Sequence, residues 1–197
     1  MTKSVYVVGG ALTGKSTFMA CMIEDLGLRL SPVLEDLHTK PNNGGNLVTL
    51  RGHRGSIPDG REGLYLGVIR ESFPGTDGLD RATSPTGEEW LRTCDLPDFI
   101  VAEGATLATR RFISALHDTT ELLLVHLVCD EDEKRARATK RGSDQDWKFV
   151  VGTSTRMANL VSDQRNSTTV PILGIDTGSE EDWEIGLDIA VSHILAR

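Results

Sequence analysis

The stretch Gly9-Gly10-Ala11-Leu12-Thr13-Gly14-Lys15-Ser16 constrains this chain more than any other feature. A glycine, four residues, then glycine, lysine and serine is the spacing of a phosphate-binding loop. Before it, Ser4-Val5-Tyr6-Val7-Val8 is a β-branched and aromatic run that reads as a buried strand. After it, Phe18, Met19, Met22, Ile23 and Leu26 recur at helical spacing until Gly27 ends the pattern. Glycines let consecutive backbone N–H groups turn inward around phosphate oxygens with no Cβ in the way. The start of the helix adds unpaired N–H donors and a favourable dipole. Gly9, Gly10, Ala11, Leu12, Thr13, Gly14, Lys15, Ser16 and Thr17 are therefore assigned to nucleotide binding. Lys15 is placed to reach the β- and γ-phosphates and Ser16 to ligate Mg²⁺ through its hydroxyl. Thr17 is the next helical residue, with no separate chemical role.

The rest of the chain repeats the strand–helix rhythm. Phe99-Ile100-Val101-Ala102 reads as a strand ending at Glu103-Gly104, with a helix from about Leu107 to His117. Glu121 to Val128 is the clearest strand, and Glu131 to Lys140 a charged helix stopped by Gly142. Residues 143–166 are polar and mostly helical. Val170 to Ile175 is a last strand, with Pro171 favouring an edge or strand start, and Glu180 to Leu195 a terminal helix. Strands separated by helices imply an α/β fold of three layers, with a mostly parallel central sheet. Residues 41–88 differ: they hold half of the 20 glycines and most of the seven prolines. They read as a glycine-rich, largely irregular insertion that binds substrate, with a strand at Leu64 to Ile69 and a helix from Thr83 to Trp90 in which Thr86 and Glu89 form a capping box. With 197 residues, 39% of them hydrophobic, the chain is read as one domain, 1–197.

The loop alone does not separate kinases from GTPases or motor ATPases. An Asn-Lys-x-Asp element for guanine is absent from the sequence. Glu103, at a strand end after four apolar residues, suits the organisation of Mg²⁺ and equally a structural carboxylate. Lys134-Arg135-Ala136-Arg137-Ala138-Thr139-Lys140-Arg141 suits a lid, residues 131–150, that closes over nucleotide, with Arg137 and Arg141 sharing a face against the transferring phosphoryl group. The acidic residues before it suit a solvated, dipole-compensated helix as well. Asp77, with Thr76 beside it and glycines flanking the pair, is the candidate general base for an acceptor hydroxyl, and also an ordinary turn residue. Arg51, Arg54 and Arg70 are candidate phosphate contacts on the acceptor side. Trp147 and Phe149 are candidates for base stacking or for core.

Several fragments together resemble a known group. The loop Gly9 to Ser16, Leu66-Gly67-Val68-Ile69-Arg70 leading to Gly75-Thr76-Asp77-Gly78-Leu79, Ala102-Glu103-Gly104, and Arg141-Gly142-Ser143-Asp144-Gln145-Asp146-Trp147 are similar to bacteriophage P-loop kinases, nearest the 5-hydroxymethyluracil DNA kinase group. The resemblance implies a three-layer P-loop kinase fold with a helical lid. The activity it implies is transfer of the ATP γ-phosphate to the 5-hydroxymethyl group of 5-hydroxymethyl-2'-deoxyuridine in phage DNA, a step in thymidine hypermodification. It implies that Lys15 and Ser16 hold ATP–Mg²⁺, that Asp77 addresses the acceptor hydroxyl, and that Arg137 and Arg141 belong to the lid. Arg70 would contact the substrate backbone, and Glu103 would lie near Mg²⁺ or the acceptor. The sequence departs from that pattern where Ala105-Thr106 replaces an Asp-Arg pair and Gly152-Thr153-Ser154 replaces a Gly-Arg.

A net charge of −8 argues against binding nucleic acid with the whole surface and leaves room for a local basic groove. It also suits a kinase of a free nucleoside or nucleoside monophosphate. A nucleotide-dependent switch is a third reading, and it would lack an acceptor site opposite the loop. Three scattered cysteines, Cys21, Cys94 and Cys129, suit a reducing compartment, and a cytoplasmic location is expected. No apolar run is long enough to span a membrane.

Overall fold

Alternation along the strands sets the architecture. In the computed structural model, which describes residues 1–70, 74–167 and 169–196, β1 (Lys3–Gly9) turns Val5 and Val7 to one side and Tyr6 and Val8 to the other. Each set nucleates its own apolar core, because successive strand side chains point to opposite faces. Four further elements meet β1 in a parallel sheet or close against it: β5 (Glu62–Leu66), β6 (Phe99–Glu103), β7 (Glu121–Val128) and β8 (Ile172–Asp176). The parallel order is β5-β6-β1-β7-β8, with β1 between β6 and β7. The Val5 face packs against α1 (Lys15–Asp25) and α6 (Glu180–Leu195) through Phe18, Met19, Met22, Ala190 and Ile194. The Tyr6 face packs against α2 (Ser84–Thr93), α3 (Arg110–Thr119) and α5 (Trp147–Ser167) through Trp90, Phe112, Ile113 and Met157. This is the expected three-layer α/β arrangement, and β8 is indeed an edge strand that begins just after Pro171.

The largest departure from expectation lies between residues 29 and 66. Much of the segment expected to be irregular is sheet: β4 (Leu47–Ser56) runs antiparallel to β5, and along its other edge it pairs β2 (Arg29–Leu30) and β3 (Glu35–Pro41). The strand expected at Leu64 to Ile69 ends at Leu66, and a single β-bridge, Val68 to Gly75, closes the following loop. Residues 71–73 of the expected acceptor segment lie outside the described residues. The capping box is also absent. Helix α2 starts at Ser84, Thr86 is buried within its first turn, and Glu89 bonds instead to Lys40 and His38 of β3. By contrast α4 (Glu131–Arg141) ends at Gly142 in a left-handed cap, as its sequence indicates. Helix α3 starts at Arg110 rather than Leu107 because the Thr109 hydroxyl accepts from the Phe112 N–H and sets the first turn there.

Candidate active site

Parallel pairing brings the carboxyl ends of β1, β6, β7 and β8 to one edge, where an open α/β sheet binds ligands. A cavity of about 550 Å³ against Lys3, Arg61 and Asp98 opens instead at the opposite end of the sheet, away from the groups described below. β1 delivers the glycine loop to the carboxyl edge, and α1 begins at Lys15. The register sets Val7 beside Glu103 and Gly9 beside Leu127. The loop is tied to itself at the Gly10 carbonyl, which accepts from the Thr13 hydroxyl (3.0 Å) and from Lys15 Nζ (2.8 Å).

Lys15 is half-buried with its ammonium turned inward, and this burial holds its pKa below the usual lysine value. Asp77 and Glu103 pull that value back up, while Arg141 and Arg156 push it down. These four charges therefore lie within electrostatic range of the lysine. Glu103 is almost fully buried at the end of β6, where desolvation raises its pKa against the opposing pull of Lys15. Ser16 Oγ donates to Glu103 Oε2 at 3.2 Å, and the Tyr65 hydroxyl bonds to the same carboxylate.

Asp77 occupies a single 3₁₀ turn, Thr76–Gly78, beside the end of β6. Its Oδ1 accepts from the backbone N–H groups of Ala105 (2.6 Å) and Thr106 (3.0 Å) and from the Thr106 hydroxyl (3.4 Å). Those two residues are where the family pattern led us to expect Asp-Arg; here they serve as the mount for Asp77. Gly104 makes the approach possible. Its φ is +115°, and a Cβ there would lie 2.6 Å from Thr76 Oγ1 and 3.1 Å from Asp77 Cγ. Buried Tyr6 closes the junction, its hydroxyl 3.1 Å from Thr76 Oγ1 and donating to the Gly104 carbonyl at 3.2 Å.

The two lid arginines part company. Arg141 is exposed and near enough to Lys15 for their charges to interact. Arg137 does not share that role: its guanidinium bonds to the Leu12 carbonyl (3.2 Å), Thr177 Oγ1 (2.9 Å), the Thr177 carbonyl (2.7 Å) and Glu133 (2.7 Å). It is held by the backbone of the loop and by the turn after β8. Helix α5 covers the other flank. The Thr153 hydroxyl accepts from the Ala11 N–H at 3.0 Å, and Ser154 packs so closely that any Cβ on Gly10 would collide with it.

Arg51 and Arg54 were expected to contact phosphate. Each is exposed and forms an ion pair across the antiparallel strands, Arg51 with Asp36 (2.8 Å) and Arg54 with Glu35 (3.0 Å). Arg54 pairs in register with Leu64 partway along β5, and the structure does not bring it to the glycine loop. Arg70 is exposed beside the undescribed residues 71–73. Trp147 lies beneath the Arg135 guanidinium, 4.0 Å from ring centroid to Cζ, and Phe149 is exposed.

Arg156, Thr153, Thr177 and Tyr65 were missed from sequence. Arg156 had a signal: it follows Thr153 by three residues, so on a helix the two share a face. Its guanidinium bonds to the Ala105 carbonyl at 3.5 Å, beside the mount for Asp77. Tyr65 and Thr177 had none, since only the sheet register brings their strand ends to this edge.

The residues present fit a nucleotide with Mg²⁺. Among the described residues no group of three or more His, Cys, Asp or Glu could hold a metal. Ser16 and Glu103 provide two oxygen donors side by side, the donor set Mg²⁺ takes when phosphate and water oxygens fill the rest of its shell. No helix among the described residues is long and apolar enough to cross a membrane.

Comparison with known proteins agrees at the level of the family. No curated protein matches the chain. Among solved structures, an unliganded sugar kinase from Janibacter sp. HTCC2649 aligns over 98% of each chain with 17% identity and a TM-score of 0.41, a likeness too loose to bear on function. The model of the P-loop nucleotide kinase3 family matches residues 1–174. A glycine loop on the central strand, a half-buried lysine within charge range of two carboxylates, and that match over most of the sequence lead to one statement: the chain belongs to the P-loop nucleotide kinase3 family.

Proposed function

We propose that the protein transfers the γ-phosphoryl group of ATP to a hydroxyl, and that the acceptor is the 5-hydroxymethyl group of 5-hydroxymethyl-2'-deoxyuridine in DNA. The observation that carries the reading is Asp77, fixed through Oδ1 to two backbone N–H groups and within charge range of Lys15. A carboxylate held rigidly opposite a phosphate loop is what an acceptor hydroxyl needs to be oriented and to lose its proton. A switch protein has no use for such a group.

Ser16 and Glu103 would hold Mg²⁺, which would supply positive charge against the phosphate oxygens. Lys15 swings from the Gly10 carbonyl to the phosphate oxygens and places its charge where the transferring group builds up negative charge. Asp77 accepts the proton of the attacking hydroxyl. Arg141 and Arg156, already close to Lys15, add positive charge on the solvent side.

The polymer acceptor rests on the sequence resemblance. A free nucleoside or nucleoside monophosphate is favoured by a different observation: Arg51 and Arg54, expected to line a groove for flanking phosphates, are engaged by Asp36 and Glu35. One experiment separates the two. The protein is incubated with γ-labelled ATP and, in parallel, hydroxymethyluracil-containing DNA, unmodified DNA, the free hydroxymethyl nucleoside and its monophosphate. Label on the modified polymer alone is expected. Label on the free nucleotide alone would replace the acceptor, and label on none of them would refute both readings.

A further inference from the structure

The geometry points to Arg137 as a positioning residue that fixes the peptide between Leu12 and Thr13, and through it the phosphate-binding shape of the loop. This inference rests on the reading of that loop as a nucleotide cradle, and it assigns Arg137 a role away from the transferring phosphoryl group.

Three observations carry it. First, Leu12 adopts φ +67°, a left-handed conformation that a branched side chain avoids unless its surroundings hold it there. Second, its carbonyl is held from outside the loop. Arg137 donates to it at 3.2 Å, and the buried Cys129 thiol lies 3.9 Å away in position to donate weakly. Third, the rest of the guanidinium is anchored on both sides, by Thr177 in the turn after β8 and by Glu133 one helical turn earlier on α4. The fork thus joins α4, the β8–α6 turn and the loop in one rigid bracket, as a planar group with five donors can and a lysine cannot.

The consequence follows from peptide geometry. In a trans peptide the C=O and the next N–H point in opposite directions. Pinning the Leu12 carbonyl toward α4 therefore aims the Thr13 N–H away from α4, across the loop. Among the described residues nothing accepts from that N–H. It is a donor prepared in advance for an anion, with its direction set by Arg137. Such preorganisation affects ground state and transition state alike, so it governs nucleotide affinity and leaves the chemical step largely unchanged.

The test measures ADP–Mg²⁺ and ATP–Mg²⁺ binding by calorimetry without acceptor, turnover at saturating ATP, and hydrogen exchange of the Thr13 amide in the nucleotide-free protein. For Arg137→Ala, both dissociation constants are expected to rise roughly ten- to a hundredfold, the loss of a hydrogen bond from a charged donor. Turnover at saturation should stay within roughly threefold of wild type, and exchange of the Thr13 amide, protected by burial in place of a hydrogen bond, should accelerate as the loop loosens. Arg137→Lys keeps the charge without the fork and should recover only a small part of the affinity. A fall in turnover of more than tenfold, with affinities unchanged, would overturn the inference and return Arg137 to the transferring group. So would full recovery by lysine, or no change in any readout. If Arg137→Ala does not fold, Arg137→Lys and Thr177→Val, which removes one anchor of the fork, carry the same expectations. Should wild-type protein bind neither nucleotide, the kinase reading fails, while Thr13 exchange still decides whether Arg137 braces the loop.

Discussion

Replacing Asp77 by asparagine separates the carboxylate's mounting from its chemistry. Asn keeps Oδ1 as an acceptor for the Ala105 and Thr106 N–H groups and loses only the charge. A hydrogen bond to an ionised group contributes about 1.5–3 kcal/mol and a neutral one about 0.5–1.5, so two such bonds weaken by about 2 kcal/mol together. Relief of the repulsion between Asp77 and buried Glu103 offsets part of this, which leaves about 1–2 kcal/mol. For a chain of this length that is a fall in melting temperature of about 2–8 °C. Asp77→Ala removes the acceptor and leaves two part-buried N–H groups without it, at about 1–3 kcal/mol each, and should melt lower still. Turnover of Asp77→Asn should drop by roughly 10²–10⁴, the usual contribution of a positioned base. ADP–Mg²⁺ affinity should hold within a few-fold, because the cradle and Lys15 remain. The measurements are thermal melts of both variants, calorimetry with ADP–Mg²⁺, and initial rates with the acceptor found in the labelling experiment. Equal losses of affinity and turnover in Asp77→Asn, or identical melting of the two variants, would refute the reasoning and leave Asp77 as a turn residue.

Other perturbations read out the charges around the loop. Lys15→Met should abolish most turnover, yet stabilise the nucleotide-free protein, because burial disfavours the charged lysine in the folded state. A folded-state pKa held below the unfolded one withholds stability at neutral pH and returns it as pH rises toward the unfolded value. The variant should therefore melt above wild type at pH 7, by about 2–4 °C per kcal/mol recovered, with the gap closing as pH approaches 10. Glu103→Gln has the mirror-image expectation: burial raises the Glu103 pKa, so its stabilising contribution is full below the unfolded value and is lost as pH rises through the folded one. Its nucleotide-free form should melt above wild type at pH 7.5 and together with it near pH 4, while the Mg²⁺ concentration needed for half-maximal rate increases. Gly104→Ala places a Cβ against Thr76 Oγ1 at a φ alanine avoids, and should cost about 1–3 kcal/mol of stability by thermal melts. Its rate should fall with displacement of Asp77 while ADP affinity persists.

What the sequence disclosed and what it hid divide along one physical line. The glycine loop was legible because its spacing, its strand and its helix are all local, and so was Glu103, which follows four apolar residues on β6. Gly142 marked the end of α4 for the same reason. The pairing of β4 with β5 was hidden because Gly52, Gly55 and Gly63 read as loop, whereas they are strand positions crowded by neighbours distant in sequence. A Cβ on Gly63 would collide with the ring of Phe99, which pairs with it across β5 and β6. Only the register discloses that pressure. Asp77 lay between these cases. Its glycine-flanked turn was visible, but its mount on Ala105 and Thr106 spans 28 residues of chain and required the ends of two segments to be brought together. Arg137 and Arg141 illustrate the limit of local reasoning most sharply. Four residues apart on one helix, they share a face, yet the same helix docks against the Leu12 carbonyl at Arg137 and continues to the exposed Arg141 one turn later. Periodicity places side chains on a face and says nothing about where along the helix that face stops being packed. The site is accordingly built from two kinds of residue: those placed by the strand that carries them, which sequence can find, and those placed by the partner they meet, which it cannot.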